Sequence, residues 1–339
     1  MPIGMDSISQ IVLGAACGEA VLGKKIKNKA LFWGAIGGTI PDLDVFLNPF
    51  FDPVNALFVH RGFSHSLTFP LLMAPLLGLL LTRIYRKSEV TWKEWAHLFF
   101  WSIITHPLLD AMTGYGTGLF EPFSNYRVDI SSIFIVDPLY TLPFLFCLIG
   151  VMRAKNNLTT RTKRNWLGIL LSTSYLLFTF INQQIMQSGF RTELKEKGIS
   201  VKKMMTIPTP FNTVLWGTVA DAGDGYYVGY RSWFDDRPTE FTYFPKNDSF
   251  IADCINDEKI KKLIRFSKGF YTLSQKKGKL YISDVRFAQA GGWTDPNADF
   301  VFSFEIVKNQ DGSIEVRKGE WRSSRLSGLE TLWERIKGI

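Results

Sequence analysis

The feature that most constrains the fold is a series of apolar runs separated by short cationic blocks over the first 183 residues of this 339-residue chain. A helix that crosses a bilayer needs about 20 mostly apolar residues, with roughly 17 to 25 as the working range. Six runs are candidates: residues 8–23 (short and weak), 30–47, 67–84, 95–109, 133–152 and 166–183. We therefore expect a membrane α-helical bundle of about six spans, some of them short or re-entrant, over residues 1–183.

The cationic blocks follow alternate runs. They are Lys24, Lys25, Lys27 and Lys29 after the first run, Arg83, Arg86, Lys87 and Lys93 after the third, and Arg153, Lys155, Arg161, Lys163 and Arg164 after the fifth. Short cytoplasmic loops are enriched in Lys and Arg. We therefore expect a multi-pass protein of the bacterial inner membrane, with residues 41–66, 110–132 and everything after 183 on the extracytoplasmic side.

The net charge of +8 does not indicate a nucleic-acid-binding protein, because the cations are clustered between apolar runs. Cys17, Cys147 and Cys254 form no motif, which argues against a disulfide framework and against a thiolate metal site. The first ten residues lack the cationic segment of a secretory signal, so the first run is more typical of a retained helix.

From about residue 184 the composition becomes that of a soluble, charged and aromatic-rich domain. Residues 184–205 are expected to form an amphipathic connector, and residues 206–339 a β-rich domain that ends in a short helix near 328–336. Residues 276–279 and 309–312 have hairpin-turn sequences. Four aromatic residues of this domain, Tyr226, Tyr227, Trp233 and Trp293, are expected in its core, with a binding face as the alternative.

Two aspartates and two histidines lie in polar stretches beside apolar runs. Asp42 and Asp44 end the second run, where an ionisable side chain is more often functional than incidental, although helix capping is the alternative. His60 and His65 are five positions apart, about 140° on a helix, so they can bind one ion only from a loop or a helix start, which Gly62 permits. A loop that meets lipid headgroups is the other interpretation.

A second histidine and aspartate pair lies at the end of the fourth run. The i, i+4 spacing of His106 and Asp110 places both on one helical face, so that they can bind the same ion or each other. Pro107 complicates the helix at this point, and a histidine that only bonds to a neighbouring helix is the alternative. Asp137 precedes the fifth run as a further ligand or a helix cap. His97, some 13 Å along the helix from His106, is excluded.

Imidazole and carboxylate together are the ligands expected of catalytic zinc or a related metal. We therefore predict a divalent metal centre, with zinc as the first choice and one or two ions. The predicted ligands are Asp42, Asp44, His60, His65, His106, Asp110 and Asp137. Arg61 and Ser64 are the predicted catalytic residues, with Arg61 suited to holding a phosphate or carboxylate in bidentate fashion.

These motifs resemble those of the bacterial predicted membrane-bound metal-dependent hydrolases, the LexA-regulated inner-membrane type. The matching residues are Pro41-Asp42-Leu43-Asp44, the block His60-Arg61-Gly62-Phe63-Ser64-His65-Ser66, and His106 to Asp110 followed by Thr113, Gly116 and Pro122-Phe123. The resemblance covers roughly residues 6–183 and implies a multi-span protein with a metal centre and hydrolase activity. A looser likeness to zinc-dependent phospholipase C favours phosphoester substrates.

Two functions follow from these observations. The first is a hydrolase at the outer membrane–water interface that acts on a lipid or lipid-linked phosphoester, with the metal polarising the reacting oxygen and lowering the pKa of a water. The second is a metal-stabilised scaffold without activity, whose outer domain binds an envelope partner. Transport is less favoured because polar groups within the apolar runs are sparse. A membrane lipid is the expected partner, and nucleic acid is not.

Overall fold

The structure of the protein is a computed structural model that describes residues 7–319 and 325–339. Parts of two predicted regions, residues 1–6 of the membrane domain and 320–324 of the β-rich domain, lie outside the described residues. The chain divides into two compact units. The first contains the described residues up to Phe50 with Val59–Ile181 and Pro210–Asn212, and the second contains Phe51–Phe58, Asn182–Thr209 and Thr213–Ile339.

Helices make up most of the chain before residue 197. They are α1 (Ser7–Ile26), α2 (Asn28–Thr39), α3 (Pro53–Val59), α4 (Thr68–Ile84), α5 (Trp92–Ala111), α6 (Pro138–Arg153) and α7 (Leu158–Glu196). Two 3₁₀ helices, Pro41–Phe50 and Phe63–His65, lie between α2 and α4. Helix α7 runs without a break from Leu158 to Glu196, so no second helix begins at residue 184.

Four glycines allow α1 and α2 to pack with their backbones in contact. Gly14 and Gly18 lie on α1, and Gly34 and Gly38 lie on α2, each pair four positions apart. A Cβ added to Gly34 would lie 2.8 Å from the Cα of Gly18, and one added to Gly14 would lie 2.8 Å from the Cα of Gly38. This is the small-residue spacing that lets membrane helices approach closely. The close contact fixes the C-terminal end of α2 against α1.

Two apolar clusters fill the first unit. One lies between α1, α2, α5 and α6 and includes Val12, Leu31, Leu109, Tyr140, Phe144 and Leu148. The other lies between α2, α4 and α5 and includes Ala30, Ala74, Leu81, Trp95, Phe99 and Ile103. A capping box of Thr91 and Glu94 begins α5, which then packs against both clusters. Helix α5 is therefore held on several sides before it reaches His106.

The second unit contains two antiparallel four-stranded sheets. The first has the order β1 (Lys203–Pro208), β2 (Leu215–Asp221), β3 (Gly225–Ser232) and β4 (Phe241–Pro245). The second has the order β5 (Tyr271–Lys276), β6 (Lys279–Gln289), β7 (Phe300–Lys308) and β8 (Ile314–Lys318). Helices α8 (Glu258–Phe266) and α9 (Arg325–Ile336) complete the unit.

The turns and aromatic residues of this unit follow simple rules. Lys277 and Gly278 have φ of 52° and 76°, as a two-residue hairpin turn requires, and they join β5 to β6.

Tyr226 is fully buried in a cluster with Val219, Val228, Phe270 and Val285. The prediction of a core position is correct for Tyr226 and wrong for Trp233, which is half exposed and donates its indole N–H to Asn182.

The predicted bundle of about six spans is wrong. Among the described residues, one helical run, Asn28–Phe50, is long and apolar enough to cross a membrane. A second would count if Pro53–His65 and Thr68–Ile84, which are bent by 59° at their junction, formed one broken span.

Length and charge explain why the other predicted spans fail. Helix α6 has 16 residues and is roughly 24 Å long, shorter than the roughly 30 Å hydrocarbon core. Helix α1 carries Glu19 within its apolar run, and α5 carries Lys93, Glu94 and Asp110 at the two ends of its apolar run. The multi-pass topology and the extracytoplasmic placement of the C-terminal region depended on the six-span count, and they are not supported either.

Candidate metal centre

Three short segments bring the predicted ligands together in the first unit. Asp42 and Asp44 lie in the first turn of the 3₁₀ helix Pro41–Phe50. His65 ends the 3₁₀ helix Phe63–His65, and His106 and Asp110 lie near the end of α5. Side chains of His65, His106 and Asp110 are almost completely buried. The apolar helices therefore enclose a polar cluster.

The hydrogen bonds of the two buried histidines define where their lone pairs lie. His106 Nδ1 is 2.6 Å from the carbonyl oxygen of Gly38, which can only accept, so Nδ1 carries the proton. His65 Nδ1 lies 3.2 Å from Asp44 Oδ2, a carboxylate oxygen that also accepts. In the neutral form of each ring, Nε2 is then the lone-pair atom, as in the carboxylate–histidine–metal arrangement of known sites.

Four atoms that could bind a metal ion lie close together in the cluster. His65 Nε2 and His106 Nε2 are 3.1 Å apart. Asp42 Oδ1 lies 3.5 Å from the first nitrogen and 3.4 Å from the second. Asp110 Oδ2 lies 3.4 Å and 3.7 Å from the same two atoms. Of these residues, Asp42, His65 and His106 form a group that could hold a metal ion.

This arrangement suits a cation. With both rings neutral, two nitrogen lone pairs face each other at 3.1 Å with carboxylate oxygens beside them, and a positive ion between these atoms removes their repulsion. Asp110 Oδ2 is buried and accepts no hydrogen bond, although Arg61 Nε approaches it to 3.0 Å. Ligand atoms about 2.0 to 2.2 Å from one ion lie about 3.0 to 3.6 Å from their neighbours, close to the spacings observed. The residues therefore fit a divalent metal ion.

Asp44 is placed behind the ligand atoms. Its carboxylate accepts from His60 Nδ1 at 2.9 Å and from the Ser64 hydroxyl at 2.8 Å, and it also faces His65 Nδ1. The backbone N–H of Arg61 donates to the same carboxylate at 3.1 Å. Asp44 thus fixes both histidines of the motif. His60 contacts Asp44 and the Tyr115 ring, and its side chain is partly exposed.

The two predicted catalytic residues also contact the ligands. Arg61 has a left-handed backbone, φ 58°, and its buried guanidinium pairs with Asp110 and donates to Thr113 Oγ1 at 2.8 Å. The Ser64 hydroxyl lies 3.0 Å from His65 Nδ1. Both side chains are therefore within reach of the centre, and their catalytic roles stay predictions.

Arg127 binds the backbone of the segment that carries His60. Its guanidinium donates to the carbonyl oxygens of His60 at 2.9 Å and Gly116 at 3.0 Å. Both arginines lie near the Tyr115 ring, with the Arg61 Cζ 5.3 Å and the Arg127 Cζ 5.9 Å from the ring centroid. The loop that presents His60 is thus fixed through its backbone.

Asp137 takes the other role that the sequence left open. Its carboxylate caps α6 by accepting from the backbone N–H groups of Leu139 at 2.9 Å and Tyr140 at 3.4 Å, and it accepts from the Tyr175 hydroxyl at 2.8 Å. Burial raises the pKa of the Asp137 carboxyl, while these hydrogen bonds act in the opposite direction. Asp137 does not belong to the metal-ligand group found among the described residues.

Sequence reasoning missed two groups that position the ligands. The Gln10 amide on α1 donates to Asp110 Oδ1 at 3.1 Å and to the His106 carbonyl at 3.2 Å. The Gly38 carbonyl holds His106, as described above. A buried glutamine within an apolar run was a usable signal, whereas the carbonyl became identifiable only from the contact between α2 and α5.

A cluster of aspartate and histidine enclosed by apolar helices defines the class, a membrane protein with a candidate metal centre. Residues 5–186 match the family described as YdjM inner membrane protein, which is more than half of the chain. The chain belongs to this family and is a bacterial inner membrane protein.

Two relatives are similar over parts of the chain. The uncharacterized protein YfhP of Bacillus subtilis (strain 168) is 23% identical over 239 residues, which cover 66% of this chain and 68% of that protein. The inner membrane protein YbcI of Escherichia coli (strain K12) is 36% identical over 106 residues, which cover 31% of this chain and 60% of YbcI. No solved structure matches. These names do not show the hydrolase activity or the phospholipase likeness that the motifs implied.

Proposed function

We propose that this protein is a metal-dependent hydrolase of the inner membrane that acts on a lipid or lipid-linked phosphoester. The observation that carries the proposal is the convergence of His65 Nε2, His106 Nε2 and Asp42 Oδ1 within 3.5 Å of one another. Asp110 is the fourth residue that would hold the ion. A divalent ion in this position supplies Lewis acidity toward a phosphoryl oxygen and activates water.

The approach to the centre supports an enzyme more than a closed structural site. The Asp42 side chain is 31% exposed and the His60 side chain is 29% exposed, while Asp44, Asp110 and both buried histidines are covered. A substrate therefore reaches the ligands past Asp42 and His60. Catalytic metal sites keep one position open, whereas structural sites are closed by protein ligands.

The surrounding residues have roles that follow from their contacts. Asp44 fixes the ring of His60 through Nδ1, which leaves Nε2 as the basic atom of a partly exposed imidazole. That atom is suited to accept or return a proton at the opening. Arg61 orients Asp110 by ion pairing, and we retain as a prediction that it also steadies an anionic group of the substrate.

The substrate class rests on location and charge. The family is one of inner membrane proteins, so the most abundant phosphoesters near the centre are those of lipids. Zinc is the metal that best suits two imidazoles with carboxylates, and the number of ions, one or two, stays a prediction.

Hydrolysis is tested with purified protein in lipid nanodiscs, loaded with zinc and given a panel of phospholipids and lipid-linked phosphates. We expect phosphate or phosphoalcohol release by the native protein and by His97→Ala, whose histidine bonds to Trp101 outside the cluster. We expect release to fall at least 100-fold in His106→Ala. Metal-loaded native protein that hydrolyses nothing in the panel would favour the scaffold that binds an envelope partner.

A further inference from the structure

The 3₁₀ helix Pro41–Phe50 carries an apolar surface on the same segment that supplies two residues of the centre. We define this exposed apolar surface by Leu43, Phe46, Leu47 and Phe50. Leu43 is 53% exposed, Phe46 66% and Phe50 80%. Asp44, in contrast, is buried toward the cluster. The 3₁₀ helix is thus amphipathic, with Asp44 on the face toward the cluster and the four apolar side chains exposed.

The exposed apolar surface is continuous with the run most able to contact lipid. Asn28–Phe50 is a single run that is long and apolar enough to cross a membrane, and Phe32 on its α2 part is also exposed. Residues 45–51 contain no charged side chain. A surface that binds a membrane by charge would carry Lys or Arg here, so contact with acyl chains is the interaction that this composition fits.

The length of the 3₁₀ helix separates Asp42 from the far end of the exposed apolar surface at Phe50. From Asp42 to Phe50 there are eight residue steps in a 3₁₀ helix, about 16 Å at roughly 2 Å per residue. If lipid covers the exposed apolar surface as far as Phe50, the Asp42 carboxylate lies at the depth of the lipid rather than in the aqueous phase. The partly exposed Asp42 and His60 are then reached from the bilayer side.

Exposed apolar side chains are next in the chain to residues of the centre. Leu43 follows Asp42 directly, and the exposed Phe63 precedes Ser64 and His65, with its ring 6.0 Å from that of Phe69. An amphiphile could therefore extend an acyl chain along these side chains while its headgroup meets the metal ligands. A small water-soluble ester would gain nothing from them.

We propose that the exposed apolar surface is embedded in the lipid of the bilayer and that the substrate enters the centre sideways from the membrane. The entry route rests on the proposed hydrolase function, whereas the lipid contact does not. The occupant is a membrane lipid, and the two other candidates, water and a second copy of this chain, are outcomes of the test.

The lipid contact is tested by spin labels on the full chain in vesicles of phosphatidylethanolamine and phosphatidylglycerol, after replacement of the native cysteines Cys17, Cys147 and Cys254. Labels at Phe46→Cys and Phe50→Cys are expected to collide with oxygen at least five times more readily than with a water-soluble nickel chelate. A label at Asn309→Cys, in an exposed turn, serves as the aqueous control. Nickel collision at position 46 equal to that at 309 would overturn the proposal, as would dipolar broadening that shows two chains packed there.

The entry route is tested by Phe46→Ser and the stronger Phe46→Asp, with metal content as the check on folding. We expect turnover of a long-chain phospholipid in vesicles to fall at least tenfold while hydrolysis of a short-chain soluble phosphoester stays within twofold. Equal loss on both substrates at full metal content would contradict sideways entry. If the native protein hydrolyses neither, the proposed function fails, and the spin labels still decide whether lipid covers the surface.

Discussion

At the scale of single residues, the affinity of the cluster for a metal ion depends on where two protons lie. The carbonyl of Gly38 accepts from His106 Nδ1, and the carboxylate of Asp44 lies 3.2 Å from His65 Nδ1. In the neutral form of both rings, the two Nε2 atoms then carry lone pairs and lie 3.1 Å apart. A histidine that merely filled space in a buried core would be expected to turn its Nε2 toward a donor. The facing lone pairs therefore carry more information about metal binding than the count of histidines does.

Replacing a ligand histidine should weaken zinc binding, whereas replacing a histidine outside the cluster should not. We expect His65→Ala to raise the zinc dissociation constant by at least 100-fold, because the ion loses a ligand and Asp44 loses one of its two imidazole partners. His97→Ala should change it by less than twofold, since His97 contacts Trp101. Competition with a fluorescent zinc chelator measures both, and similar constants for the two variants would contradict the assignment.

Gln10 should act on the metal through Asp110. In Gln10→Leu, the carboxylate loses a hydrogen bond of 3.1 Å, and we expect zinc affinity to fall by about 10-fold, within the range of about 10- to 100-fold for residues that support ligands. Gln10→Glu also removes the amide and adds a negative charge beside Asp110, so it should weaken folding rather than restore binding. A zinc affinity of Gln10→Leu equal to that of the native protein would show that Asp110 is oriented without Gln10.

The sequence predicted part of this centre, and the reason is local spacing. The i, i+4 spacing placed His106 and Asp110 on one face of α5, and the helix continues through Pro107. The five-residue spacing of His60 and His65 indicated a turn, which the structure supplies at Arg61 and Gly62. The pairing of His60 with Asp44 and the support from Gln10 could not be predicted, because they depend on helices that meet across the fold.

At the scale of elements, α2 packs against both α1 and α5, and its C-terminal end brings the Gly38 carbonyl to His106 on α5. Gly14, Gly18, Gly34 and Gly38 leave no room for a side chain at the crossing. The spacing was visible in the sequence as two small-residue repeats, yet it does not by itself state which helices meet. The predicted hairpin turn at residues 276–279 was simpler, because it joins two strands that are adjacent in the chain.

One methyl group at the crossing should separate the two helices. We expect Gly34→Ala to lower the free energy of unfolding by about 1 to 3 kcal/mol, because the new Cβ meets backbone atoms of α1 that cannot turn away. It should also weaken zinc binding through the Gly38 carbonyl. Denaturant unfolding in detergent and zinc titration measure the two effects.

The matched control is Gly189→Ala on α7. Its Cβ would meet only the tip of the Arg231 side chain at 3.4 Å, and alanine is the better helix former by about 1 kcal/mol. We therefore expect this variant to be as stable as the native protein or slightly more stable. If Gly34→Ala and Gly189→Ala unfold at the same denaturant concentration, the close contact between α1 and α2 does not hold in solution.

At the scale of the whole molecule, the six-span expectation failed because apolar runs were counted without their polar interruptions. Glu19 on α1 is buried, and its Oε1 accepts a hydrogen bond of 2.9 Å from Arg161 Nε. This part of the predicted first span therefore contains an internal ion pair. Helix α6 is too short, and the polar residues Ser172, Thr173 and Ser174 interrupt the apolar run within α7. Composition predicted a membrane protein, and the family match confirms that coarser statement.

Metal binding should stabilise one unit and not the other. Zinc at 100 times its dissociation constant stabilises the state that binds it by about 2.7 kcal/mol. We expect amide exchange to slow in α2 and α5 after zinc addition, because they hold Gly38 and His106. Exchange in β2 and β3, which belong to the second unit, should be unchanged. Equal protection of the sheets would indicate that zinc binds elsewhere.

The most direct test of the central claim is the metal content of protein purified from membranes, measured by mass spectrometry for the native chain and for the double variant His65→Ala with His106→Ala. The cluster predicts about one equivalent of divalent metal in the native protein, or two if a second ion binds, and less than a tenth of that in the double variant. A native protein that neither retains nor takes up a divalent metal would contradict the claim. So would a double variant that retains its metal in full.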